Sequence, residues 1–181
     1  LVTEITVTCM LKPFGGYTDE SYEETLSVLE ERFLSLPLSE DSNPYEWMKI
    51  FHDYLCETVV YVESTNSHNI IGPLLEGKSV CEGYAKAFQY LCDLTDFSGD
   101  VSCYTANGVM SGGTGAGAHM WNLVGMEDGK LYLVDVTNSD EGSVGQDGGL
   151  FLAGGSGSPA SSYVFAAGNT SISYAYAKDF I

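Results

Sequence analysis

The hydrophobic pattern of this chain changes once, near residue 100, from a helical period to a two-residue period. Before that point apolar residues recur every three or four positions, and after it they alternate with polar residues as in half-buried strands. The predicted helices cover Asp19 to Leu36, a segment that starts at Pro44 after the capping residue Asn43, and about Val80 to Thr95. The predicted strands cover Val101 to Gly108, His119 to Met126 and Lys130 to Thr137. The sequence therefore predicts three helices followed by three consecutive strands of an antiparallel sheet.

The two ends of the chain have weaker patterns. Leu1 to Met10 is rich in Val, Ile and Thr and is predicted to be a strand. Glu141 to Ser162 is mostly Gly, Ser and Ala and is predicted to be a loop, while Ser161 to Ala167 and Ile172 to Ala177 are candidate edge strands. No linker or internal repeat divides the 181 residues, so residues 1–181 are expected to form a single domain with a Gly/Ser-rich extension over 141–181.

The composition limits the classes of partner. The formal net charge is −18, because 25 Asp and Glu residues are balanced by only 7 Lys and Arg. Such a surface repels phosphate backbones, so nucleic acid is not expected as a partner. No apolar run approaches the length of a membrane span, and no transmembrane segment is predicted. The start at Leu1, the scarcity of base and the many Gly, Ser, Thr and Tyr residues favour an extracellular or cell-surface protein whose signal peptide has been removed. Oligomeric state stays open.

The cysteine count is odd. The five cysteines are Cys9, Cys56, Cys81, Cys92 and Cys103. An odd number in an exported protein favours one free reactive thiol. Cys56 and Cys92 lie at apolar positions of predicted helices and are expected to be buried, and a disulfide between Cys92 and Cys103 stays open. The chain has no Cys-x-x-Cys pair and its histidines are far apart in sequence, so no metal site is predicted.

Cys81, His119 and Asp135 occur in that order, each in a context that suits one role in thiol catalysis. A thiol is a strong nucleophile only as the thiolate, and its pKa falls at a helix N-terminus or beside an imidazolium. Cys81 begins the third predicted helix, where unpaired N–H groups can also bind an oxyanion. Singly, each residue has an ordinary explanation: a packed or capping cysteine, a surface histidine and a turn-forming aspartate. Together they favour a catalytic triad, whereas His52 and His68 are expected to be structural.

The turn between the second and third strands decides whether His119 and Asp135 can meet. Side chains alternate between the two faces of a strand, so the length of the loop fixes which residues share a face. A two-residue loop, Asp128-Gly129, would place His119 and Asp135 on opposite faces. A three-residue loop, Glu127-Asp128-Gly129 with Gly129 in the left-handed conformation, places Trp121 opposite Asp135 and His119 diagonal to it on the same face. The Glu-Asp-Gly sequence favours the three-residue loop and an oriented imidazole.

Three sequence blocks resemble a known family. They are Gly77-x-x-Val80-Cys81-Glu82-Gly83-Tyr84-Ala85, His119-x-Trp121-Asn122-x-Val124, and Tyr132-x-Val134-Asp135-x-Thr137 followed by Asp140. In this combination, over roughly Tyr45 to Asp140, the chain resembles the transglutaminase-like superfamily, most closely its bacterial transglutaminase/protease-like branch. The resemblance implies an α+β fold with a papain-like core, in which a helix carrying the cysteine packs on an antiparallel sheet carrying the histidine and the aspartate.

The resemblance also implies residue roles. Cys81 would be the nucleophile, His119 the general base and then the general acid, and Asp135 the residue that orients the imidazole. The implied supporting residues are Tyr61 on the oxyanion side and Trp121 and Asn122 on the histidine strand. The chain departs from the family pattern at Met120, where a small residue is usual, and at Asn138, where an aromatic residue is common, and both departures bear on substrate preference.

The resemblance implies thiol-dependent acyl transfer or hydrolysis at amide or peptide carbonyls through an acyl-enzyme. A cysteine peptidase or amidohydrolase acting on a protein or peptide is the simplest such enzyme. Two alternatives stay open: a transglutaminase that uses an amine as acceptor, and a non-catalytic module that binds cell-surface protein or cell wall. No acidic segment has the spelling of a calcium loop, and no cofactor is predicted.

Overall fold

The computed structural model of the chain describes residues 19–39, 41–95, 97, 100–112, 115–140, 149–156, 162–167 and 170–176. The strand predicted for Leu1 to Met10, together with Cys9, lies outside these residues. Among the described residues, no helix combines the length and the apolar character needed to cross a lipid bilayer.

The helices of the described residues are α1 (Asp19–Leu34), α2 (Pro44–Thr58), α3 (Cys81–Asp93) and the short α4 (Val136–Asp140). The first three confirm the predicted helices. Helix α2 starts as predicted, with Asn43 as its N-cap and Pro44 in its first turn. The Asn43 side chain accepts a hydrogen bond from the N–H of Glu46, and the Glu46 carboxylate accepts one from the N–H of Asn43, each 3.0 Å long. This reciprocal cap satisfies two N–H groups that would otherwise lack partners.

The strands form two sheets. Strands β1 (Val60–Tyr61) and β2 (Lys78–Ser79) make a parallel pair, and a single π-helical turn, Gly72–Glu76, precedes β2. The main sheet contains β3 (Ser102–Gly112), β4 (Gly115–Gly125), β5 (Leu131–Val134), β6 (Ala153–Ser156), β7 (Ser162–Ala167) and β8 (Thr170–Tyr176). Its spatial order is β6-β5-β4-β3-β8-β7, and every neighbouring pair is antiparallel.

The β4–β5 hairpin has the predicted register. Asn122 pairs with Val134, and the same register places Trp121 opposite Asp135. The N–H of Met126 donates to the carbonyl of Lys130, and the N–H of Gly129 donates to the carbonyl of Met126. These bonds close a three-residue loop in which Gly129 has a φ of 73°, a conformation that favours glycine. The prediction that His119 and Asp135 share a face of the sheet is therefore confirmed.

The predicted bounds of this hairpin were wrong at both ends. Strand β4 starts at Gly115, so His119 lies inside the strand and not at its start. The glycine-rich run before His119 lacks strand propensity, but it pairs with β3 along its full length, and this pairing overrides local preference. Strand β5 ends at Val134, whereas the prediction extended it to Thr137. The residues that follow form α4, because the Asp135 carboxylate accepts a hydrogen bond from the backbone N–H of Asn138 and so caps the start of this helix.

The described parts of the C-terminal extension add three strands to the main sheet. The predicted strands near Ser161 to Ala167 and Ile172 to Ala177 are present as β7 and β8. Strand β7 is an edge strand, as predicted, but β8 lies between β3 and β7 and pairs with both. Strand β6, at the other edge, falls in the segment predicted to be a loop, because its Gly and Ser residues carry no strand signal.

Helix α3 packs between the other helices and the sheet. It contacts α2, α4, β3 and β4. The core shared by these helices and the sheet includes Phe51, Leu55, Tyr84, Phe88, Val124 and Val134. A second buried cluster consists of Ala106, Met110, Trp121, Leu133, Leu150, Ile172 and Tyr174. The contacts of α3 with β4 bring its first turn to the strand that carries His119.

Candidate active site

Cys81 is the first residue of α3. It is a free, half-buried cysteine whose thiol contacts His119 and the backbone N–H groups of Glu82 and Met120. Burial alone would raise the pKa of the Cys81 thiol, but the hydrogen bond and the positive charge of His119, together with the two N–H groups, lower it below its usual value. The thiol therefore lies in an environment that favours the thiolate.

The first turn of α3 is held by close backbone packing. The N–H of Val80 donates to the carbonyl of Ser67, 3.1 Å away. The single proton of the Ser79 hydroxyl is shared between the carbonyls of Val80, 2.8 Å away, and Ser67, 3.3 Å away. A Cβ atom at Gly83 would lie 2.3 Å from both the Ser67 carbonyl oxygen and the Ser79 hydroxyl oxygen. Glycine at position 83 lets the 64–69 loop lie directly against the helix, which fixes the direction in which α3 begins.

His119 links the thiol to a carboxylate. Its Nε2 atom lies 2.9 Å from Oδ2 of Asp135, and the imidazole is buried. Since Nε2 bonds Asp135, Nδ1 is the ring nitrogen that remains for Cys81. Burial lowers the pKa of His119, but the hydrogen bonds and charges of Asp135 and Cys81 more than compensate and raise it to about 9. The imidazole is therefore protonated at neutral pH when the thiolate is present.

Asp135 is buried, yet its surroundings favour the carboxylate over the neutral acid. Its Oδ2 atom accepts hydrogen bonds from His119 Nε2 (2.9 Å), Asn138 Nδ2 (2.6 Å) and the Tyr174 hydroxyl (2.6 Å). Its Oδ1 atom accepts a bond of 3.1 Å from the N–H of Asn138. Burial opposes the charged form, but His119, Tyr174 and Asn138 together hold the pKa of Asp135 below its usual value.

The predicted supporting residues lie around this group. Trp121 is fully buried, and its ring stacks on that of His119 with centroids 5.9 Å apart. Asn122 donates from Nδ2 to the carbonyl of Ala85 over 2.9 Å, which joins β4 to α3. The Tyr61 hydroxyl lies against the backbone N–H of Cys81. That N–H, expected from the sequence to face an oxyanion, therefore has the tyrosine hydroxyl as its partner.

The structure brings Cys81, His119 and Asp135 together with the three supporting residues, whereas their catalytic roles remain predictions. Two further residues contact Asp135: Tyr174, which was not predicted to belong to the site, and Asn138, which was expected only to bear on substrate preference. The Asp-x-x-Asn spacing of Asp135 and Asn138 is an N-cap pattern that could have indicated the contact of Asn138. No local signal indicates Tyr174, because its position depends on the insertion of β8 beside β3.

The described cysteines other than Cys81 are also free, so Cys92 and Cys103 do not form a disulfide in this structure, although their side chains are hydrogen-bonded. Within the described ranges, no group of three or more His, Cys, Asp or Glu side chains is placed to hold a metal ion. The two remaining histidines contact carboxylates outside the site, His52 with Asp53 at 3.0 Å and His68 with Glu63 and Glu82 at 2.9 Å each.

Comparison with known proteins supports the fold. Neither a protein-family model nor a curated protein sequence matches this chain. A solved structure described as the crystal structure of a TGase aligns with 70% of the chain, with a TM-score of 0.52 and 16% sequence identity. The alignment covers 35% of the TGase chain, so this chain spans about a third of the length of that protein. At this identity the likeness shows the fold alone. The fold is transglutaminase-like, with mixed helices and antiparallel sheet.

Proposed function

We propose that this chain is a thiol-dependent acyl-transfer enzyme in which Cys81 is the nucleophile, His119 the acid–base and Asp135 the residue that orients the imidazole. The observation that carries the proposal is one continuous path of contacts, from the half-buried thiol to an imidazole whose other nitrogen bonds a buried carboxylate. The directions of the pKa shifts support a thiolate–imidazolium pair at neutral pH.

The reaction follows from these positions. The thiolate sulfur bonds the carbon of an amide carbonyl, and the π electrons of the C=O bond move to the oxygen. When this intermediate collapses, the C–N bond breaks and the leaving nitrogen takes the proton from the imidazolium. The resulting thioester is attacked by water or by an amine, which gives its proton to the neutral imidazole as the C–S bond breaks. Asp135 keeps the ring in one orientation throughout and fixes the tautomer of the neutral imidazole.

Tyr61 is proposed to stabilise the oxyanion. Its oxygen accepts the hydrogen bond from the N–H of Cys81, which leaves the hydroxyl proton to point elsewhere. The Tyr61 ring stacks on Tyr84 with centroids 6.4 Å apart, and the Tyr84 hydroxyl donates to Asp140 over 2.5 Å. These contacts hold the hydroxyl close to the nucleophile, where a donor would meet the negative charge that develops on the carbonyl oxygen.

The substrate class is proposed to be a protein or peptide, and the simplest reaction is hydrolysis by a cysteine peptidase or amidohydrolase. The solved structure with a similar fold is that of a TGase, which favours a primary amine, after water, as the second candidate for the acceptor of the acyl group. A papain-like arrangement of the core, a single domain over residues 1–181 and an extracellular location are parts of the same proposal.

The test compares the wild-type protein with Cys81→Ser and Cys56→Ser. Cys56 is also half-buried, and burial raises the pKa of its thiol to about 12, so its replacement is a matched control. Wild type and Cys56→Ser are expected to release ammonia or peptide from a glutamine-containing protein, or to incorporate a labelled primary amine into it, whereas Cys81→Ser should do none of these. Activity retained in Cys81→Ser would exclude the assigned nucleophile. Absence of all three activities in the wild type would favour a non-catalytic binding module.

A further inference from the structure

Tyr174 lies in β8, at the point where this strand meets the candidate site. Its side chain is 1% exposed, and it belongs to the buried cluster that contains Trp121 and Ile172. Strand β8 reaches this point because it pairs with β3, with Tyr174 opposite Met110. The tyrosine therefore comes from a segment outside the three motif blocks that suggested the active site.

The Tyr174 hydroxyl contacts Asp135 at the oxygen that also binds the imidazole. It donates to Oδ2 over 2.6 Å, and His119 Nε2 lies 2.9 Å from the same atom. A buried carboxylate is stable as an anion only when donors replace the lost water. Here the side chains of Tyr174 and Asn138 supply two of these donors, and both bonds are shorter than the one to His119.

The tyrosine ring also limits the orientation of the imidazole. Its centroid lies 6.3 Å from that of His119 and 5.1 Å from that of Trp121, while the His119 and Trp121 rings stack. The imidazole is thus held at its edge by the carboxylate and on its face by aromatic rings. Both contacts restrict rotation of the ring away from the thiol.

We propose that Tyr174 is a positioning residue of the active site, which acts through Asp135 to hold His119 in line with Cys81, and that Asn138 shares this role. The inference rests on the proposed function and assigns to the C-terminal extension a part in the chemistry. It follows that the site is incomplete until β8 has paired with β3.

The first test is Tyr174→Phe, which removes the hydroxyl and keeps the ring in the core. Without this donor, more of the Asp135 negative charge acts on the imidazole, so the pKa of His119 should rise above its wild-type value. Besides His119, the ionisable groups whose pKa depends on Asp135 include His52 and Tyr61, and neither residue is replaced in the variant. Cys81, which interacts directly with His119, is also retained. The control is Tyr132→Phe, because Tyr132 also donates to a carboxylate, Asp128, but does so on the exposed hairpin.

The readouts are the basic limb of the kcat/KM profile and the His119 titration followed by NMR of the imidazole nitrogens. We expect both to move to higher pH in Tyr174→Phe and kcat/KM at neutral pH to fall about tenfold or more, the size of effect expected for a hydrogen bond to a charged group. Tyr132→Phe should match the wild type. If the pKa of His119 in Tyr174→Phe is equal to or lower than that in the wild type, the inference is overturned, even if the variant is less stable.

The second variant is Asn138→Ala, which removes the other side-chain hydrogen bond to Asp135. It tests the inference if Tyr174→Phe does not fold. The same rise in the pKa of His119 is expected, and its absence would refute the shared role. The NMR titration needs no substrate. A wild-type protein without turnover would therefore contradict the proposed function alone, whereas an unshifted titration in an active protein would contradict only the inference about Tyr174 and Asn138.

Discussion

Two opposing effects act on the thiol of Cys81. Burial disfavours the thiolate, and the hydrogen bond and charge of His119 favour it, with the net result that the pKa of Cys81 is lowered. Cys92 is buried without a cation, and burial raises its pKa instead. Burial alone thus does not favour the thiolate, and the neighbouring imidazolium determines which of these two thiols has the lowered pKa.

Alkylation by iodoacetamide should separate these thiols. The thiolate–imidazolium pair exists above the lowered pKa of Cys81, and it is lost as pH rises through the His119 pKa of about 9. At pH 6 an ordinary thiol, with a pKa near 8.5, is almost fully protonated. We therefore expect labelling at pH 6 to be faster at Cys81, whose pKa is lowered, than at the other described cysteines, with the sites identified by peptide mapping. Cys56, with a pKa of about 12, should stay unlabelled.

His119→Gln provides the sharper version of this experiment. The variant keeps a polar side chain but removes the cation, so burial should dominate and the pKa of Cys81 should rise. Each unit of pKa corresponds to a tenfold change in the thiolate fraction at low pH, and the labelling rate at pH 6 should fall about tenfold or more. Equal rates in the wild type and His119→Gln would show that the imidazole does not activate the thiol.

The first turn of α3 determines where the thiol of Cys81 lies, because Cys81 is the first residue of this helix. The Ser67 carbonyl accepts the N–H of Val80 and the hydroxyl of Ser79, and it lies directly beside Gly83. This loop can approach so closely only because position 83 has no side chain. A side chain added at position 83 should therefore move the first turn of α3, and with it the thiol of Cys81, relative to His119.

Gly83→Ala should destabilise the protein and reduce the reactivity of Cys81. The added methyl group would meet a backbone carbonyl at 2.3 Å, and a backbone atom cannot rotate away, so we expect a loss of about 1–3 kcal/mol in the free energy of unfolding. Gly125→Ala is the matched control, since its close neighbour is the Ser102 hydroxyl at 2.7 Å, which can rotate. Denaturant unfolding measures both variants. Similar losses in the two would refute the packing argument.

Among the helices and strands, the features that the sequence predicted correctly are those determined by residues adjacent in the chain. The cap at Asn43, the start of α3 near Cys81 and the loop that ends at Gly129 all follow from local rules, and the loop determined the register of the hairpin. The long glycine-rich arm of β4 and the insertion of β8 depend on pairing between distant segments. Local propensity does not encode this pairing, so Tyr174 could not be assigned to the site from the sequence.

The candidate site joins segments from most of the described chain. Tyr61 comes from β1, Cys81 from α3, His119 from β4 and Tyr174 from β8, while Asp135 lies between β5 and α4. Each side chain is placed by a different pairing or packing contact. Formation of the site should therefore follow formation of the whole sheet, and a substitution that loosens β8 should affect the imidazole before it affects α1 or α2.

The net charge of −18 should act on every charged substrate that approaches this molecule. An acidic surface attracts cations and repels anions over about a Debye length, which is ~10 Å at 0.1 M salt and shorter at higher salt. For the proposed enzyme, kcat/KM for a glutamine-containing peptide flanked by lysines should therefore exceed that for the same peptide flanked by glutamates at low ionic strength. The difference should lie in KM, because the charge acts on the encounter and not on the reacting bond.

Salt provides the control for this effect. Raising the ionic strength should lower kcat/KM for the lysine-flanked peptide and raise it for the glutamate-flanked one, so that the two values converge. A neutral peptide of the same length, flanked by serines, should respond weakly. If the lysine and glutamate peptides kept their ratio at high salt, the preference would arise from direct contacts at the site. If they did not differ at low salt, the overall charge would have no part in substrate selection, despite an excess of 18 negative charges.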